Sequence, residues 1–149
     1  MASQFTVLQT GNSLRNGGYV MLRGEPCRIK QLNWSAPGKH GSGKIRVVGM
    51  GVFDGRHREE IVGSQENVPV PVILKPTLLL VDLEDDYMVV MTESGEERTD
   101  LRLSQNVQSP ELAEQIEKTF CEDEDAAEIL LHALAFKDRC LIVKLSIKH

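Results

Sequence analysis

The chain has 149 residues, 41% hydrophobic and 26% charged, with a formal net charge of -5, enough to bury one ordinary core or two small ones. No apolar run approaches the roughly 20 residues that cross a bilayer, and the opening Met-Ala-Ser-Gln-Phe-Thr has neither region of a signal peptide, so a cytoplasmic location with no membrane partner is expected. Three scattered cysteines, Cys27, Cys121 and Cys140, exclude a disulfide framework or a Cys-x-x-Cys metal site and are expected as small buried hydrophobes.

In chain order, short runs rich in Val, Ile and Leu alternate with Gly, Pro, Asn and Asp. Strands are predicted at Tyr19 to Leu22, Cys27 to Leu32, Ile45 to Phe53, Glu59 to Val62, Leu78 to Leu83, Tyr87 to Met91, Ile129 to Ala135 and Cys140 to Leu145. Glu93-Ser94-Gly95-Glu96 reads as the turn of a hairpin. One helix is predicted, with Ser109 as N-cap, Pro110 at its first position and Glu111 near the positive end of the dipole. Leu112, Ile116 and Phe120 fall at i, i+4 and i+8 and give it a single apolar face.

Val68-Pro69-Val70-Pro71-Val72 reads as a stiff extended connector, because two prolines remove donors that a sheet interior needs. Charge changes at the same place. Residues 1 to 71 hold nine Lys/Arg against five Asp/Glu, a net +4, and residues 72 to 149 hold eight against seventeen, a net -9. The basic half suits polyphosphate, and the acidic half limits nonspecific binding to nucleic acid. Taken alone, the acidic runs Asp82 to Asp86 and Glu122 to Asp125 read as solvated loops. The division predicted is a tail over 1–13, a first domain over 14–71 and a second over 72–149, each domain large enough for a small β-barrel.

Between Trp34 and Ile45 lies Ser35-Ala36-Pro37-Gly38-Lys39-His40-Gly41-Ser42-Gly43-Lys44. Gly38, Gly43 and Lys44 imitate a phosphate-binding P-loop, but Ile45 replaces the hydroxyl that would ligate magnesium. The following Ile45-Arg46-Val47-Val48 is strand material where that motif needs a helix. The alternatives left are an ordinary exposed turn and a glycine-rich basic finger carrying Lys39, His40 and Lys44. An enzyme is not indicated. His40, His57, His132 and His149 lack metal-ligand spacing, no Ser, Cys or carboxylate is set by motif beside a histidine, and no cofactor fingerprint is present. A generic single-strand binder needs stacking platforms, and Trp34, Tyr19 and Tyr87 are dispersed.

The run Pro37-Gly38-Lys39-His40-Gly41-x-x-Lys44 resembles the hypusine-loop signature of the eukaryotic translation initiation factor 5A family. Gly17-Gly18-Tyr19-Val20 with Gly24-Glu25-Pro26-Cys27-Arg28-Ile29 resembles that family's first two strands. Ser94-Gly95-Glu96 with Arg98, Asp100, Leu101, Arg102 and Leu103 resembles its second-domain hairpin. The chain departs from the pattern at Ser42-Gly43, where His-Ala is usual, and at Ala36, where lysine is common. A bacterial elongation factor P would be longer, with a third barrel.

The resemblance implies a mostly β protein of two small barrels, an N-terminal SH3-like barrel with the hypusine loop and a C-terminal OB fold with one short helix. It implies no catalytic residue, no metal and no bound cofactor. Lys39 is the residue converted to hypusine from spermidine by deoxyhypusine synthase and deoxyhypusine hydroxylase, with Pro37, Gly38, His40, Gly41 and Lys44 read by those enzymes. The implied partners are the ribosome, through large-subunit rRNA, and peptidyl-tRNA, with a homodimer as an open alternative to a monomer. The implied function is promotion of peptide-bond formation, notably at polyproline stalls, and of termination. Arg28, Lys30, Lys44 and Arg46 are candidate RNA contacts, weighed against plain solvent-facing strand positions.

Overall fold

A computed structural model describes residues 5–35 and 43–149. The chain divides into two compact units, one running to Val72 and the other starting at Ile73. Both are built almost wholly of antiparallel strands.

In the first unit, β1 (Thr6–Thr10) is followed by a short 3-10 turn, β2 (Tyr19–Leu22), β3 (Glu25–Ser35), β4 (Lys44–Gly51), β5 (His57–Gly63) and β6 (Asn67–Pro71). β2 to β5 form a four-stranded meander in sequence order, and β1 pairs with β6 in a separate two-stranded sheet. The curl of the meander follows from the alternation along β4. Ile45 and Val47 are fully buried while Lys44, Arg46 and Met50 face out, so one face closes on a core of Val20, Leu22, Ile29, Ile45, Val47 and Val62. A bulge in β3 between Ile29 and Gln31 leaves Lys30 as the extra residue and sharpens the local twist. This is the SH3-like half.

The stretch expected as a connector is a strand, and the expected tail contributes the strand it pairs with. Thr6 lies opposite Pro71, and Leu8 opposite Pro69. Prolines two residues apart turn their nitrogens to the same edge, which leaves Val68, Val70 and Val72 facing β1. The Val72 N–H donates to the Phe5 carbonyl at 2.8 Å. Proline is tolerated because no strand among the described residues pairs with that other edge.

In the second unit, β7 (Thr77–Glu84), β8 (Tyr87–Met91) and β9 (Glu97–Arg102) form a meander, then come α1 (Pro110–Glu122), β10 (Glu128–Phe136) and β11 (Arg139–Lys148). The sheet order is β11-β10-β7-β8-β9. A parallel bridge between Val107 and Ile142 joins the far ends, with the Gln108 N–H donating to the Ile142 carbonyl and the Ile142 N–H to the Asn106 carbonyl. That closure, with a helix between the third and fourth strands, is the OB arrangement. The Ser109 hydroxyl accepts from the Leu112 N–H at 3.2 Å, as its capping position requires. Ile116 is fully buried, with Leu112 and Phe120 packed beside it on the same core. Gly95, at φ +88°, makes the turn between β8 and β9.

Of the cysteines, Cys27 and Cys140 are buried as expected, but Cys121 is exposed, since it follows Phe120 off the apolar face of α1.

The hairpin end and its charged face

Lys39 and its neighbours Pro37, Gly38, His40 and Gly41 lie outside the described residues. What the structure places is their base. The β3–β4 ladder runs without interruption from the bulge to the Ser35–Lys44 pair, and the Gly43 carbonyl accepts from the Ser64 N–H at 2.8 Å. The chain therefore leaves for and returns from residues 36–42 at one end of a continuous ladder. Lys44 opens a strand and not a helix, which removes the P-loop alternative.

Pairing across the strands sets the outer face. Arg28 lies opposite Met50 and Met50 opposite His57, Asn33 opposite Arg46 and Arg46 opposite Ile61, Ser35 opposite Lys44. Arg28, Lys30, Lys44 and Arg46 are all exposed, but they are not equivalent. The Arg28 guanidinium lies over the Tyr19 ring, 5.8 Å from its centre, which holds the cation in a planar, stackable pose. Arg46 is committed to Glu59 at 2.7 Å, and the other oxygen of Glu59 contacts His57 Nε2 at 2.7 Å. Hydrogen bonds from His57 and then Arg46 hold the Glu59 carboxyl below its ordinary range. Arg28, Lys30 and Lys44 make no ion pair among the described residues, so theirs are the uncompensated charges on this face.

Local sequence gave no sign of the Arg46–Glu59–His57 chain, because it depends on the β4–β5 register. Its one legible part is the i, i+2 spacing of His57 and Glu59, which puts both on the same face of a strand. A second unforeseen cluster closes the β4–β5 connection. Arg58 donates twice to Asp54, at 2.9 and 2.7 Å. Arg58 thereby holds the Asp54 carboxyl well below the usual carboxylate range. Burial pushes the adjacent Cys27 thiol up, with Arg58 acting against it.

The second unit presents a different chemistry. Its open cavity of about 810 Å³ is lined by Asp85, Asp86, Ser104, Glu114 and Glu117 around Val107 and Ala113, an unfavourable lining for phosphate. Asp86, expected as part of a solvated run, instead accepts from Arg102 at 2.9 Å and from the Ser104 hydroxyl and N–H. The structure also sets Ser146 Oγ 2.8 Å from His132 Nε2, a pairing that no motif announced. The other ring nitrogen meets only the Thr77 hydroxyl at 3.4 Å, and a hydroxyl cannot stabilise an imidazolium as a triad carboxylate does. No group of three His, Cys, Asp or Glu is placed to hold a metal among the described residues. Nor is any helix among them long and apolar enough to cross a membrane.

Residues 3–66 match the family model for the translation initiation factor 5A-like N-terminal domain, and residues 72–137 match the model described as eukaryotic elongation factor 5A hypusine, DNA-binding OB fold. Eukaryotic translation initiation factor 5A-1 of Schizosaccharomyces pombe is 34% identical over 123 residues, covering 83% of this chain and 76% of that protein. The Drosophila melanogaster factor is 35% identical over 132 residues, covering 88% and 79%. A solved translation initiation factor eif-5a family protein from Naegleria fowleri matches with a TM-score of 0.82 at 29% identity, covering 96% of this chain and 99% of its own. The Methanococcus jannaschii factor, at 23% identity and a TM-score of 0.74 over 98% of both chains, shares the fold. With both domain models matched in order and relatives covered over three quarters of their length, the chain belongs to the translation initiation factor 5A family, a family of translation factors and not of enzymes.

Proposed function

We propose that this chain is a hypusine-dependent translation factor that binds the large ribosomal subunit beside peptidyl-tRNA and promotes peptide-bond formation at polyproline stalls, and termination. The observation that carries the reading is the β3–β4 ladder, whose Ser35–Lys44 end brackets the signature Pro37-Gly38-Lys39-His40-Gly41. Lys39 is the substrate of deoxyhypusine synthase, which transfers an aminobutyl group from spermidine, and of deoxyhypusine hydroxylase, which completes hypusine. The ε-amine must lose its proton before it acts as nucleophile, so a lysine outside any salt bridge serves best. Pro37, Gly38, His40, Gly41 and Lys44 form the segment those enzymes recognise.

The finished side chain carries two amines and reaches phosphates and hydroxyls that the backbone cannot approach. Holding the tRNA acceptor end nearer its attack geometry lowers the barrier by orientation, an effect that reaches several kcal/mol in favourable systems. The ribosome performs the chemistry. Lys30 and Lys44, uncompensated on the outer face, and Arg28, held against Tyr19, supply phosphate contacts. Arg46 contributes less because Glu59 already neutralises it.

Lys39→Arg tests the reading. Arginine keeps the charge but stays protonated and cannot accept the aminobutyl group. The variant is expected to melt with the parent and to lose activity on a polyproline reporter in reconstituted translation. Full activity from a folded Lys39→Arg protein would refute the hypusine assignment.

A further inference from the structure

The open cavity of the second unit, about 810 Å³, is walled by the β7–β8 turn on one side and by α1 on the other. Pro110, Ala113, Glu114 and Glu117 fall at i, i+3, i+4 and i+7 and form the stripe of α1 that lines it. The core-facing stripe of Leu112, Ile116 and Phe120 runs beside that one. Leu103, Val107 and Ala113, all buried or half-buried, make an apolar floor, and the exposed Asp85 of the turn faces the exposed Glu114 and Glu117 of the helix across it. Asp86 is neutralised by Arg102. The other three carboxylates make no ion pair among the described residues.

This lining does not suit an anion. The first donors of α1 are already occupied, the Leu112 N–H by the Ser109 hydroxyl and the Ala113 N–H by the Ser109 carbonyl, and Pro110 has none to offer. What an apolar floor between carboxylates does accept is a long side chain with a methylene stem and a cationic head. Arginine and lysine lay their stems on apolar surface and keep the charge in polar surroundings, and the planar guanidinium can engage carboxylates from two directions. The net charge of -9 over residues 72 to 149 draws such a chain in. An open cavity does not enclose most of a small free polycation, as a small-molecule site does. A peptide continues past the rim, where the adjacent Glu84 and Glu111 are also exposed.

We propose that this cavity is the docking site for an arginine-rich segment of a protein partner. One arginine stem lies on Leu103, Val107 and Ala113, with its head between Asp85 and the Glu114 and Glu117 pair. The site belongs wholly to the second unit and owes nothing to Lys39.

Full-length unmodified protein would be titrated, with fluorescence anisotropy as the readout, against a labelled decapeptide of alternating arginine and alanine. The same peptide with glutamate in place of arginine should not bind. Glu114→Gln combined with Glu117→Gln should weaken binding of the arginine peptide about tenfold, and Asp85→Asn about threefold. Glu122→Gln combined with Glu124→Gln removes as much charge from the acidic run at the far end of α1 and should leave the affinity nearly unchanged. Every substituted residue is exposed, and melts close to the parent would establish that the variants are folded. No measurable binding of the arginine peptide would overturn the proposal. Equal weakening by the two double variants would overturn it in favour of diffuse attraction to an acidic surface. Displacement of the peptide by spermidine at equal or lower concentration would overturn it in favour of a small polycation as occupant. Failure here leaves the Lys39 reading intact, because the polyproline assay on Lys39→Arg depends on modification and this titration does not.

Discussion

The two units solve the same packing problem and differ in what they turn outward. In each, alternation along antiparallel strands fills a core of branched aliphatics, Ile29, Ile45 and Val47 in the first and Leu78, Val90, Leu131 and Ile142 in the second. In each, a buried cysteine lies against an arginine that is bidentate to an aspartate: Cys27 with Arg58 and Asp54, Cys140 with Arg98 and Asp100. The outward residues diverge. The first unit leaves Lys30 and Lys44 without ion pairs among the described residues, while the second engages Asp86 and Asp100 with its own arginines. Inward residues make two related β cores, and it is the outward charge that sets them apart.

The largest test of this division removes core volume. Ile116→Ala and Ile45→Ala each delete a fully buried side chain and should cost about 2–5 kcal/mol. Peptide-resolved hydrogen exchange should place the lost protection of each variant in its own unit. Equal losses in both units from either variant would show that the two cores are not separate.

A middle-sized effect probes an asymmetry between the two Arg–Asp pairs. A β-carbon on Gly51 would overlap the Asp54 carboxylate and sit 2.6 Å from Arg58 Nη1. Gly51→Ala must therefore displace the pair, at a cost of about 1–3 kcal/mol. The second unit's only glycine, Gly95, lies in the β8–β9 turn and meets nothing within 4 Å. A Gly51→Ala melt coincident with the parent would show that the Asp54–Arg58 pair is dispensable to the fold.

Acidification tests the same pair through its protons. Hydrogen bonding to Arg58 holds Asp54 well below its unfolded value of about 3.9. Its stabilising contribution is thus fully present above about pH 4 and is lost as pH falls through the lower folded value. Asp54→Asn should flatten the acid limb of the first unit in exchange measurements repeated down to about pH 3. The second unit should keep its limb, since Asp86 and Asp100 are also held low, by Ser104 and Arg98 respectively. An unchanged acid limb in Asp54→Asn would remove the pair from the account. The smallest stability effects are expected from Lys39→Arg, which exchanges one long cation for another, and from Trp34→Ala, which removes a ring 54% exposed: each should shift stability by no more than about 0.5 kcal/mol. A large loss from Trp34→Ala would make the ring structural.

Much of the fold was legible because its signals are local. The β4 alternation of Ile45 and Val47 against Lys44 and Arg46 states which face is buried. Ser109-Pro110 with Leu112, Ile116 and Phe120 specifies where α1 starts and which side it packs, and Gly95 marks a turn. The signature around Lys39 is likewise a contiguous string, so the family could be read from it. Tertiary structure alone decided what depends on register between distant segments. The prolines of β6 read as a connector because their constraint is local, whereas the β1 edge that makes them a strand lies some sixty residues away. The Val107–Ile142 closure and the Arg46–Glu59–His57 chain were set in the same way, since periodicity tells which face a residue takes but not what stands opposite it.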